Sequence, residues 1–172
     1  MNECAYYDAE TTVRLAIGTI THLPPDITAS EEEFLNSLPT HIIYPVLMDL
    51  LIAKGEANVR SRAFDALMKL TDLDTVGFLI ELFRKSTDWG IACCKYMANF
   101  QDDRVIEHLS EVAKNHDDGD FRYVAVVALG NVGNNSIIPL LKSIALTDLG
   151  ADYEGFPIKD AALDAISAIS NR

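Results

Sequence analysis

The sequence predicts an all-α fold, a solenoid of stacked helix pairs, and three observations lead to it. A block spanning Val59–Leu70 returns at Phe121–Val132 and Ile158–Ile169, with a fainter copy over Trp89–Phe100. The offsets between copies are 30, 32 and 37 residues, a period that marks stacked supersecondary units rather than one globular core. Each copy places apolar or small residues at i, i+4, i+7, i+8 and i+11, which is one face of an amphipathic helix. A turn rich in Asp, Asn or Ser then follows each of the first three copies.

The first helix of each unit is read from its columns. Val59, Trp89, Phe121 and Ile158 open it, and Ala63, Cys93, Ala125 and Ala162 form a small-residue column. Ala66, Tyr96, Ala128 and Ala165 come next, followed by Leu67, Met97, Leu129 and Ile166, and the face closes on Leu70, Phe100, Val132 and Ile169. Small residues at two columns let a neighbouring helix approach closely. The turns Thr71–Asp74, Gln101–Arg104 and Gly133–Ser136 offer side-chain acceptors that cap a second helix. That helix carries Val76, Ile106 and Ile138, then Leu79, Leu109 and Leu141, then Leu82, Val112 and Ile144. Pro139 sits in a first turn, where its missing N–H costs little.

The N-terminal part follows the pattern more loosely. Ser30 and Glu33 form a capping box for a helix that stops before Pro39, and a second helix runs from about Thr40 to Lys54. Val13, Ala16, Ile17 and Ile20 recur at helical spacing and read as a capping helix, ended by Leu23-Pro24-Pro25-Asp26. The expected organisation is therefore a single domain over 1–172. It has a cap at 1–26, helix-pair repeats at 27–56, 57–86, 87–118 and 119–148, and a loop with a terminal helix at 149–172.

These units resemble HEAT-like repeats, of the short class also found in bilin lyases. The resemblance rests on Val59-Arg60 with Ala63, Ala66-Leu67 and Leu70. It rests equally on Phe121-Arg122 with Ala125, Ala128-Leu129-Gly130, Val132-Gly133 and Pro139-Leu140-Leu141. It covers roughly residues 57–170 and implies a right-handed superhelix of about four helix pairs. It also implies an interlocking ladder, with Arg60, Arg122 and Lys159 at the basic position and Asp72, Asp102 and Asn134 at the acidic one. Gly90 departs from that pattern, so its rung should be missing.

Composition narrows the function classes. A formal net charge of −12 disfavours nucleic acid and anionic membranes, and matches a basic protein surface best. Plain solubility is the competing explanation of the same charge. The stretch Val13–Ile20 is interrupted by Arg14, Gly18 and Thr19 and preceded by Glu3, Asp8 and Glu10, which is not a secretory pattern. Cys4, Cys93 and Cys94 are an odd count with two adjacent, which is no disulfide framework. The expected location is the cytoplasm.

Catalytic and metal constellations are weak. His22, His41, His108 and His116 fall in different elements. The run His116-Asp117-Asp118-Gly119-Asp120 lacks the Glu that completes a calcium loop, Val127 standing at the twelfth position, and reads as a solvated loop. Cys93 falls in the small-residue column, and adjacent cysteines on a helix point about 100° apart. Gly130-Asn131-Val132-Gly133 has no preceding strand and reads as a helix end. The sequence thus nominates no catalytic, cofactor-binding or metal-ligating residue.

A surface is the better candidate. Glu81, Glu107 and Glu111 lie on polar positions of second helices, with Glu81 and Glu111 in one stripe, and Asp117, Asp118 and Asp120 lie in the adjoining loop. The segment Thr147–Pro157 accounts for the last, longer offset and contains Asp152, Tyr153 and Phe156. Insertions in solenoids often map to a binding edge, and exposed aromatics anchor interfaces. Packing back onto the final helix is the alternative for Tyr153 and Phe156. The leading expectation is a non-enzymatic module, monomeric or weakly dimeric. It binds a basic protein through an acidic concave face, as an immunity protein against a toxin or a small adaptor would. The resemblance also implies a tetrapyrrole-handling, bilin-lyase-like subunit as an alternative. A HEAT-like DNA glycosylase is a third, disfavoured by charge.

Overall fold

Helix-forming periods and turn residues translate directly into the helices of the computed structural model, which describes residues 36–172 together with Glu33. In chain order these are α1 (Thr40–Ile52), α2 (Ala57–Lys69), α3 (Thr75–Lys85), α4 (Thr87–Met97), α5 (Asp103–Asn115), α6 (Gly119–Val132), α7 (Ile138–Thr147) and α8 (Ile158–Ser170). A 3₁₀ turn at Asn135–Ile137 precedes α7. Among the described residues there is no strand, only an isolated bridge between Ala151 and Pro157. The fold is all-α. The expected capping helix and the Ser30 capping box lie outside the described residues.

Side-chain caps set several helix starts. Asp102 accepts from the Arg104 N–H, Asp118 from the Asp120 N–H and Asn134 from the Ser136 N–H, each at 2.8 Å. Each satisfies one of the N–H groups that a helix start leaves without a partner. Pro139 takes its place at the start of α7.

The chain divides into two compact units, Met1–Thr75 and Val76–Arg172. In the first, α1 packs on α2. Asn36 bridges to the end of α2, donating to the Lys69 carbonyl at 3.3 Å and accepting from the Thr71 N–H at 3.0 Å. In the second unit α6 is the central helix. It packs against α4, α5 and α8, and α7 packs against α8.

The repeat columns describe most of the core. Ala63, Cys93, Ala125 and Ala162 are all fully buried. Leu79, Leu109 and Leu141 are fully buried as well. The fainter copy differs at one column: Tyr96, placed in a small-residue column, is 41% exposed. There the buried set is Gly90, Cys93, Cys94 and Met97, so α4 keeps the columns of Cys93 and Met97 and turns Gly90 inward as well. A further column, Phe64, Cys94 and Val126, is buried although the alignment passes over it, and its fourth member Leu163 is 56% exposed on the terminal helix. In the second helices Val105 and Ile137 are buried in place of Ile106 and Ile138.

A Cβ at Gly90 would run into the ring of Phe121, so α4 and α6 approach closely at this glycine.

Candidate functional site

The site begins with Arg122, in the first turns of α6, which fixes where the 148–157 loop starts. Its Nε donates to Asp148 Oδ2 at 2.8 Å and its Nη2 to Asp148 Oδ1 at 3.3 Å. Its Nη1 donates to the carbonyls of His116 and Asp117, both at 2.8 Å. The hydrogen bond to Asp148 raises the Arg122 pKa, and the same bond holds the Asp148 carboxyl below the usual carboxylate range. The expected ladder is thereby corrected: Arg122 reaches Asp148 and the preceding loop, not Asp102 or Asn134. Arg60 directs its Nε to the Leu51 carbonyl at 3.0 Å. The physical reason is that Asp102 and Asn134 serve as caps of their own helices, and Asp102 also pairs with Arg104 at 2.8 Å.

From Asp148 the loop folds on itself. Ile158 N–H donates to the Gly150 carbonyl at 3.1 Å, and Asp152 N–H to the Phe156 carbonyl at 3.1 Å. Asp152 Oδ1 accepts from the N–H groups of Glu154 and Phe156 at 3.0 and 2.8 Å. Gly155 supplies the left-handed turn residue, with φ of 89°. The loop is tied to α6 by the Tyr153 N–H, which donates to Asp120 Oδ1 at 2.6 Å.

Between this loop and the outer faces of α4 and α6 lies a cleft of about 340 Å³. Ile91, Ala98, Val124, Val127 and Ala128 supply apolar lining, and Tyr123 and Tyr153 supply aromatic lining. The charged lining is Asp120, Asp152 and Glu154 with a single base, Lys95. Tyr153 is 82% exposed and donates its hydroxyl to Glu154 Oε1 at 3.0 Å, a bond that raises its pKa. Phe156 stacks against Tyr123 of α6 with ring centroids 6.4 Å apart.

Glu81, Glu107 and Glu111 line a second cleft, of about 680 Å³, between α3 and α5. Three bases, Arg84, Lys85 and Arg104, line it too. Lys85 pairs with Glu81 at 2.7 Å, and Glu111 accepts from Asn115 at 2.7 Å. The expected continuous acidic stripe is therefore a charge-balanced surface. His108 also lines this cleft, edge-on to Phe83 at 4.7 Å. Burial lowers its pKa, nearby Arg84 adds to that, and Glu111 opposes it.

The nine nominated residues thus fall into three groups. Asp120, Asp152 and Tyr153 come together at the loop cleft, with Phe156 beside it. Glu81, Glu107 and Glu111 share the other cleft. Asp117 and Asp118 belong to neither: Asp118 caps α6, and the carbonyl of Asp117 holds Arg122. Cys93 and Cys94 are buried, and burial pushes both thiols up to about 12. They are core residues.

Sequence reasoning passed over Ile91, Tyr123, Val127 and Glu154. A signal was present. The outward columns of the repeat read Ser61, Ile91, Tyr123, Asp160 and Asp65, Lys95, Val127, Asp164. Both are polar in the outer copies; the first turns apolar or aromatic at α4 and α6 and the second turns apolar at α6, where the cleft forms. No described helix is long and apolar enough to cross a membrane. No protein-family model matches the chain, and comparisons with curated proteins and with solved structures find no match.

Proposed function

We propose that the chain is a HEAT-like helical-repeat protein that acts without catalysis, binding a basic protein partner through the cleft beneath the 148–157 loop. The observation that carries this reading is the imbalance of charge in that cleft, where three carboxylates meet one lysine on an apolar and aromatic lining. Complementary charge steers association, and aromatic residues provide the buried contact area that makes an interface stable. Repeat arrays place insertions at a binding edge, and this loop is such an insertion. The α3–α5 cleft offers equal numbers of acids and bases and so no net attraction for a basic surface. A cytoplasmic immunity protein or adaptor is the role in keeping with an acidic surface and buried free thiols.

The test is capture of partners on the immobilised full chain, compared with two charge-reversed variants. Asp152→Lys should abolish retention of a stoichiometric basic protein, whereas Glu107→Lys should leave it in place. Equal retention by both variants, or loss only in Glu107→Lys, overturns the reading.

A further inference from the structure

We infer that the loop cleft is a receptor for one arginine side chain of the partner, an inference that rests on the binding role just proposed. Three features of the cleft converge on that chemistry. Ile91, Val124 and Val127 offer apolar surface to the aliphatic stem of a long basic side chain. Tyr153, largely exposed, and Tyr123, stacked on Phe156, line it with aromatic rings, the kind of surface on which a planar guanidinium stacks. Asp120 and Asp152 offer carboxylates that are already oriented.

The third feature is the most specific. Asp120 Oδ1 is held by the Tyr153 N–H at 2.6 Å, and Asp152 Oδ1 is held by the N–H groups of Glu154 and Phe156. The Oδ2 atom of each has no hydrogen-bond partner among the described residues. Backbone donors thus fix both carboxylates while leaving one acceptor apiece for a forked donor. A carboxylate held this way loses little further freedom on binding, which favours the pre-organised guanidinium over the flexible ammonium of lysine. A volume of about 340 Å³ suits one side chain, not a folded segment.

The experiment uses the ¹⁵N-labelled full chain titrated with acetyl-Gly-Arg-Gly-amide and followed by amide chemical shifts. Its controls are the citrulline peptide, of the same shape without charge, and the lysine peptide. The expected result is saturable shifts at Asp120, Tyr123, Tyr153 and Glu154, with both control peptides binding about tenfold or more weakly. Asp152→Asn keeps an Oδ1 acceptor for the loop N–H groups, so the loop should persist while the arginine peptide weakens by about tenfold. Absence of saturation, equal binding of citrulline, or shifts centred on Glu107 and Glu111 overturns the inference. If the arginine peptide fails but capture of a basic protein still depends on Asp152, the binding role stands and the arginine receptor falls. If both fail, the binding role falls with it.

Discussion

The cleft between α3 and α5 and the cleft beneath the 148–157 loop each gather three carboxylates, yet they differ in charge. Among Glu81, Glu107 and Glu111 stand Arg84, Lys85 and Arg104, whereas Asp120, Asp152 and Glu154 share their cleft with Lys95 alone. The difference follows from where the acids are carried. On an exposed helix, acids are readily compensated by bases one turn away, as Glu81 and Lys85 are at 2.7 Å. At the tight loop, carboxylates are held by its backbone N–H dipoles, as Asp152 is within the loop and Asp120 is from the first turn of α6, and need no counter-ion. Acids fixed by dipoles keep their net charge available to a partner.

The strongest way to break this contrast is to release the loop. Arg122→Ala removes a partly buried pair with Asp148 and two hydrogen bonds to carbonyls. It should lower stability by about 2–4 kcal/mol in denaturant melts. Amide exchange should accelerate over 149–157 and stay unchanged at the centre of α5. Uniform acceleration in both places would show that the two clefts are not separately held.

Acidification probes the balanced cleft. Burial favours neutral His108 in the folded chain, and Arg84 reinforces this against the opposing pull of Glu111. Its folded pKa lies below the unfolded value of 6.5, so its contribution is fully present above pH 6.5 and is lost as pH falls toward the folded pKa. His108→Gln should remove that slope in melts from pH 7 to 5. Asp148, depressed by Arg122, should contribute a separate loss at lower pH, below the ordinary carboxyl value of 3.8. An unchanged slope in His108→Gln would assign the transition to another group.

Two milder changes sharpen the loop side. Lys95→Glu removes the only base in the cleft and should speed association with a basic partner about two- to fivefold at low salt, an effect that fades as salt rises. Stopped-flow rates insensitive to the change would mean that the partner's charge does not meet this cleft. Tyr153→Phe alters an exposed hydroxyl, and its thermal melt should match that of the parent. A loss would make the Tyr153–Glu154 contact structural.

Much of the architecture could be read from residues in advance. The all-α fold, the helix starts at Asp102 and Asn134, and the buried columns at Ala63, Cys93, Ala125 and Ala162 rest on local periodicity and capping. Those rules depend only on neighbours along the chain. Tyr96 is exposed where the other copies bury alanine, and Gly90 is buried against Phe121, a contact between helices about thirty residues apart on which local periodicity is silent.

The site divides along the same line. The amino-acid order alone determined that Asp152, Tyr153 and Phe156 lie in a loop segment beside a helical array, since glycines and acids there break the helical period; Asp120, expected in the preceding loop, lies instead in the first turn of α6. Only the tertiary structure decided that Tyr153 docks on Asp120 and that Arg122 chooses Asp148 over the helix-capping acids. It also decided that Ile91 and Val127 complete the same cleft. Each of these contacts closes across helices, and a hydrogen bond or an apolar lining between distant segments is set by packing, which local sequence preference does not encode.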